Sequence, residues 1–306
     1  MMAFTSIRLK EAWNWGGLSF RELMVRTYQA MDKHDTLNQA AVVAFYAMLS
    51  LVPLLGVVLA FALGARTGVA DQLDALSKRL IPEEAYVKII HDQLDKLQQS
   101  TPVGLLSLSV LLLLWSASSL FVAIMDTTNA AYGVRDERPW WKRRLIAIVL
   151  TLSITALLIG ACITIAVWPH VMGWLGLSTL ATTLATLVQW LVVVIALLAA
   201  FALAYYFGPH VDQEWEWITP GSTLGVLVLI ATSLGFRWYI VHFGSSYSET
   251  YGTLAGVVLM MLWCYLAALA LLVGAEINCA IEHAAPHGRA PGQKENPPIE
   301  TSQKAN

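Results

Sequence analysis

The sequence predicts an all-α, polytopic membrane protein. It has six transmembrane helices, an outer helical hairpin and an N-terminal interfacial helix. Three observations carry that prediction. Of the 306 residues, 57% are hydrophobic and only 13% are charged, about half the charged share of a soluble domain. Six stretches reach the roughly 20 mostly apolar residues that a helical span requires. The basic residues between those stretches fall mostly on one side of the implied bilayer.

Residues 1–38 form a segment expected on the cytoplasmic side. Phe20, Leu23, Met24, Thr27 and Met31 share one helical face, with Arg21, Arg26 and Lys33 elsewhere and Trp13 and Trp15 ahead of them. That pattern predicts an amphipathic helix lying on the leaflet. No apolar core of a cleavable signal precedes it.

Residues 39–283 form the membrane domain. The spans run over about Gln39–Leu63, Val103–Tyr132, Leu145–Trp168, Leu180–Phe207, Pro220–His242 and Thr253–Ile281. Pro53 falls near the middle of the first and is expected to kink it. Ser50 lies on the same turn. Between spans 1 and 2, residues 66–100 repeat apolar positions at helical spacing on either side of Ile81-Pro82, which predicts the hairpin. From residue 284 to 306 the chain is rich in Pro, Gly, Gln, Lys and Glu, and is expected to be a disordered cytoplasmic tail.

Thirteen Lys and Arg lie in the N-terminal segment, the span 2–3 loop and the tail, against five in the hairpin. The positive-inside rule therefore puts both termini in the cytoplasm. Net charge is −2, unlike the strong basic excess of a nucleic-acid binder, so no nucleic-acid partner is expected. Cys162, Cys264 and Cys279 all fall in apolar stretches and suggest neither a disulfide framework nor a metal site. Neither a phosphate-binding loop nor a G-x-S-x-G nucleophile motif occurs. No cofactor and no metal are expected.

A charge inside a span costs upward of ~2.5 kcal/mol and is retained where it is paired or used. Three occur: Asp126, Arg237 and Glu276. Asp126 and Glu276 fall toward the cytoplasmic ends of their spans and are expected to share one vestibule, while Arg237 falls toward the outer side. Asn129 lies three residues beyond Asp126, on nearly the same face. Asn278 points to another neighbour. Together with Ser50 and Pro53 these residues form a candidate substrate path or structural polar network. The basic loop, Arg135, Arg138, Lys142, Arg143 and Arg144, is the expected counter-charge for both acids and a contact for anionic lipid headgroups. Gln189 is a candidate interhelical hydrogen-bonding residue. Gly221 with Gly225, and Gly252 with Gly256, make two GxxxG patterns that permit close helix approach.

Several runs together resemble a known family. They are Ala40 to Pro53 (AAVVAFYAMLSLVP), Trp115-Ser116-Ala117-Ser118, Asn129, Tyr132, Arg138 to Arg144 (RPWWKRR), Pro220-Gly221, Tyr251 to Leu254 (YGTL), Trp263 with Tyr265, and Gly274 to Asn278 (GAEIN). In order and spacing the chain resembles the YihY/BrkB family of bacterial inner-membrane proteins. The resemblance covers about Asn38 to Glu282. It implies six membrane helices and an inner-membrane location. It brings ribonuclease BN and virulence-factor labels, and a loose association with transport or lipid handling.

The residues themselves favour a non-enzymatic transporter, permease or lipid-handling protein of the cell envelope. Its partners would be membrane lipids, anionic phospholipids among them. The alternative is a membrane scaffold of an envelope complex, docking a partner protein at the outer hairpin. A membrane-bound ribonuclease is the third reading, and lacks the His and carboxylate cluster that metal-dependent hydrolysis needs.

Overall fold

A computed structural model describes residues 11–64, 102–175, 179–213, 215–286, 288 and 290–294. Among them the chain is helical and contains no strand. The helices are α1 (Phe20–Lys33), α2 (Thr36–Gly64), α3 (Pro102–Tyr132), α4 (Trp140–Leu175), α5 (Thr179–Phe207), α6 (Pro220–Tyr251) and α7 (Ala255–Ala284). Short 3₁₀ turns precede α1 and α7 at Trp15–Gly17 and Gly252–Leu254. Among the described residues, five stretches are long and apolar enough to cross a membrane: Ser107–Tyr132, Trp140–Ile165, Ala181–Phe207, Pro220–Gly244 and Ala255–Ala284. They match the expected spans 2 to 6. Expected span 1 falls on α2, whose apolar stretch is Thr36–Leu51. The predicted hairpin lies outside the described residues.

The chain divides into two compact units, residues 46–117 in one and residues 1–45 with 118–306 in the other. In the smaller unit α2 stays helical through Pro53, whose ring removes one backbone donor. The Ser50 hydroxyl donates to the Ala47 carbonyl at 2.7 Å. Ser116 on α3 likewise donates to Leu112 at 2.8 Å. Neither hydroxyl is left to seek a partner in hydrocarbon.

In the larger unit α7 packs against α6 and α1, α4 against α5, and α5 against α6. Glycine sets the α6–α7 approach. A Cβ on Gly221 would lie 2.5 Å from Asn278 Cγ, and one on Gly225 would lie 2.9 Å from the Phe201 ring. Gly274, on α7, meets Gly221 and the Tyr205 hydroxyl in the same way. Tyr205 donates to the Leu271 carbonyl at 2.6 Å, tying α5 to α7. The first GxxxG pattern is thus an internal contact. The second is not used: a Cβ on Gly252 or Gly256 meets nothing within 4 Å. Gln189 is buried. The outward sides of α4 and α5 are apolar, with Leu145, Val149 and Leu152 on one and Leu184, Leu187, Leu191 and Ile195 on the other.

Two expectations change here. The α1 helix is expected to lay its apolar face on lipid; within that face Leu23 is fully buried against Ile277 and Ile281 of α7, with Met24 beside it, while Phe20 is exposed. A helical stripe shows that a face is covered, not whether protein or lipid covers it. A capping box between Ser19 and Glu22 starts α1. Gly16, at φ +63°, passes so close to α7 that a Cβ would lie 2.5 Å from the Ile281 carbonyl. The second change concerns residues 285–294, expected to open the disordered tail. Gly292 N–H donates to the Tyr132 carbonyl at 3.0 Å, and Asp212 N–H to the Lys294 carbonyl at 2.9 Å. Lys294 also pairs with Glu137. Backbone bonds of this kind leave little trace in composition.

Candidate functional site

Three polar networks join the start of α2, the end of α3, the start of α4, the end of α5, the start of α6 and the end of α7. These connections therefore share one end of the larger unit.

The first network surrounds the α3–α4 loop. Arg138 binds Asp136 with two prongs, Nε to Oδ1 and Nη2 to Oδ2, each at 2.8 Å. Its remaining donors reach the Phe207 and Gly208 carbonyls at 3.3 and 2.9 Å, closing the C-terminal end of α5. Positive charge there also complements the helix dipole. Asn129 is buried between the loop and α5. Its Oδ1 accepts from His210 N–H at 2.6 Å, and its Nδ2 donates to Asp136 Oδ2 at 3.3 Å. Burial opposes the charge on Asp136. The Arg138 hydrogen bonds and the charges of Arg138 and Arg143 outweigh it, and hold the carboxyl below its ordinary value. Glu137 is also held low, by its hydrogen bond and charge interaction with Lys294.

The second network caps α6. Thr219 N–H donates to Ser222 Oγ at 2.9 Å, and Ser222 N–H returns to Thr219 Oγ1 at 3.0 Å. This is a reciprocal cap, with Pro220 in the first helical position, where a missing N–H costs nothing. Asn278 completes it from α7. Its Oδ1 accepts from Gly221 N–H at 2.8 Å, and its Nδ2 donates to Thr219 Oγ1 at 2.9 Å. The Pro220-Gly221 and Gly274-to-Asn278 runs that carry the family resemblance therefore form a single contact.

The third network is the most enclosed. The Glu276 side chain is 0% exposed. It accepts from His34 Nδ1 at 3.0 and 3.2 Å and from the Thr36 hydroxyl at 3.1 Å. His34 caps the end of α1, and Thr36 opens α2. One carboxylate thus holds three elements together.

The predicted site residues separate accordingly. Asp126 and Glu276 share no partner. Asp126 is 53% exposed and pairs with Arg143, whereas Glu276 receives His34 and Thr36 rather than the basic loop. Burial, which spacing along a helix does not report, divides them. Arg237 is exposed on α6 and makes no ion pair with a described residue. Of the five basic residues expected to face headgroups, Arg135 and Lys142 are exposed. Arg144 donates to Ser119 Oγ at 3.0 Å. Arg138 is only 8% exposed and turned inward, because its acid partner lies two residues away in the same tight loop. His34, Thr36, Asp136 and His210 were missed. The polar triplet His34-Asp35-Thr36, set directly against the first apolar run, was the available signal. Among the described residues no three His, Cys, Asp or Glu side chains converge.

Comparison with known proteins covers the same residues. The family described as "Virulence factor BrkB" matches residues 27–300, a range that includes every member of the three networks. The chain is 27% identical to the ribonuclease-like protein YfkH of Bacillus subtilis, over 86% of this chain and 94% of that protein. It is 29% identical to a UPF0761 membrane protein of Tolumonas auensis, over 81% of this chain and 82% of that one. A longer UPF0761 membrane protein, from Alkalilimnicola ehrlichii, is also 29% identical, over 80% of this chain and 55% of its own length. No solved structure matches. With all three networks inside the matched range, the chain belongs to the Virulence factor BrkB family of membrane proteins.

Proposed function

We propose that this protein is a non-enzymatic permease of the bacterial inner membrane that handles anionic amphiphiles, phospholipids in the first place. In this reading six helices span the bilayer, both termini are cytoplasmic, and the end carrying the polar networks faces the cytoplasm. The excess of Lys and Arg in those connections supports that orientation.

The observation that carries the reading is the complete burial of Glu276. A carboxylate costs upward of ~2.5 kcal/mol to hold inside a membrane bundle. Apolar packing would stabilise the α1–α7 contact as well. An intramembrane acid at the junction of three elements is the kind of group that substrate pathways use. Arg135 and Lys142 are exposed at the same end, with Trp140 and Trp141 also exposed at the start of α4. Cations contribute about 1 kcal/mol each near an anionic leaflet, and Trp suits the headgroup level.

The test is reconstitution. Purified protein in liposomes should move a labelled anionic phospholipid between leaflets, and Glu276→Gln should abolish that movement while eluting as a single folded species. Movement equal to protein-free liposomes would refute the reading. The ribonuclease-like name of the Bacillus relative is tested on the same preparation, with tRNA and divalent metal; cleavage would overturn the non-enzymatic reading.

A further inference from the structure

We propose that His34 and Glu276 form a proton-binding relay, with His34 as the solvent-facing acceptor and Glu276 as the buried store. The relay stands on the geometry of the pair. Its use in driving transport rests on the function proposed above.

The two side chains differ sharply in exposure: the His34 ring is 13% exposed and the Glu276 carboxyl 0%. Of the pair, only the imidazole reaches the protein surface. The carboxylate accepts from both Nδ1 and the Thr36 hydroxyl, so Nδ1 carries a hydrogen in the deprotonated pair. The starting state is then neutral His34 with its proton on Nδ1, beside an ionised Glu276. A proton arriving from water binds the free Nε2. The Nδ1 proton crosses the 3.0 Å hydrogen bond to Glu276 Oε1. The product is neutral His34, now protonated on Nε2, and a neutral carboxylic acid. One proton has entered, no heavy-atom bond has changed, and the buried negative charge is gone.

The surroundings leave the pair to itself. Among the described residues, Glu276 is hydrogen-bonded to His34 and Thr36 and to no other side chain. The ionisable neighbours of His34 in sequence, Asp32, Lys33 and Asp35, are exposed, and Asp35 accepts from the Asn38 amide at 2.8 Å. On α7 the next ionisable groups are Cys279, whose thiol donates to the Ala131 carbonyl, Glu282, and His283, which lies beside Cys279. From the start of α6, the neutral Thr219 and Gly221 bond to Asn278, two residues beyond Glu276.

The consequence is mechanical. In the ionised state Glu276 holds α1 and α2 to α7 through two charge-assisted hydrogen bonds. These are roughly twice as strong as neutral ones. Protonation weakens both, and so loosens the α1–α2 junction from α7.

Infrared difference spectra of the reconstituted full-length protein between about pH 5 and pH 8, where histidine exchanges protons, test the relay directly. The expected result is a carboxyl protonation signal in the wild type that disappears in Glu276→Gln and in His34→Gln. A signal that persists unchanged in both variants overturns the relay. If Glu276→Gln fails to fold, His34→Gln decides alone. Lipid movement measured on the same liposomes separates the two ideas. Loss of the infrared signal with no lipid movement by any form leaves the relay and removes the permease. Lipid movement that changes less than about twofold across that range removes the coupling.

Discussion

Replacing Gly221 by alanine should be far more damaging than a single methyl suggests. The new Cβ would lie 2.5 Å from both Asn278 Cγ and Oδ1, and would press on the Gly274 carbonyl. Carbon atoms in contact sit about 3.5–4.0 Å apart, so the helices must separate by roughly 1 Å. The obstacle includes the α7 backbone, which has no rotamer to change. Overpacking of this kind costs about 1–3 kcal/mol. Separation also stretches the 2.8 Å bond from Gly221 N–H to Asn278, and loss of a helix cap costs ~1 kcal/mol. The sum is about 3 kcal/mol, which for a domain of this size lowers Tm by roughly 6–12 °C. The assay is thermal unfolding in detergent, followed by circular dichroism. Gly235→Ala is the matched control on the same helix. Its Cβ would meet nothing within 4 Å, so it should stabilise the helix by up to about 1 kcal/mol. Equal shifts for the two variants would refute the idea that α6 and α7 meet through Gly221.

Arg138→Ala should destabilise the folded protein by about 3 kcal/mol, because it leaves Asp136 nearly buried without its partner. Arg138→Lys should recover only part of that loss, since one ammonium cannot reproduce the two-pronged bond; unfolding midpoints of the three forms check both. Acid should weaken the wild type through the same acid. The Asp136 carboxyl is lowered from 3.8, so its contribution is complete above that value and lost as pH falls through the lowered one. Asp136→Asn should flatten this acid limb in a pH series of melting curves. Ser222→Ala removes half of the α6 cap and should cost ~1 kcal/mol, readable as a small fall in Tm. Cys279, buried and donating to Ala131, should resist a small thiol reagent until the protein unfolds.

Much of the fold was legible because hydropathy reports the one demand a bilayer makes on a helix. The apolar runs ending at Tyr132, Phe207 and Ile281 come within a few residues of the ends of α3, α5 and α7. Gly221 and Gly225 were legible as a close contact because small residues in a span have few other uses. Gly252 and Gly256 show the limit of that argument: the same spacing lies where nothing approaches it. The candidate site was legible only by residue type. Asp126, Asn129, Glu276 and Asn278 were found because polar groups in apolar runs are conspicuous, and Arg143 was legible as counter-charge to Asp126, yet the partners of Asn129 and Glu276 sit in segments that composition treats as ordinary loop. His34 and Asp136 look like surface residues in sequence. They became site residues through long-range contacts, 242 positions apart in the case of His34 and Glu276.

The distribution of these partners says which end of the larger unit is tied together by side chains. Side chains that bond across elements, Glu276 to α1 and α2, Asn278 to α6, Arg138 and Asn129 to the end of α5, all lie at one end. Away from that end the hydroxyls of Thr151, Thr164, Thr186 and Thr232 bond within their own helices. Helices in lipid lack a hydrophobic force pressing them together, so the bonded end is the stiffer one. Most of its bonds involve groups that keep one charge state near neutral pH, such as the Arg138–Asp136 pair and the Asn278 amide. At the Glu276 junction the proposed relay would instead neutralise the carboxylate and leave His34 uncharged, weakening the hydrogen bonds to His34 and Thr36. Under that proposal a proton would loosen the α1–α2 junction while α6 stays capped on α7 by Asn278.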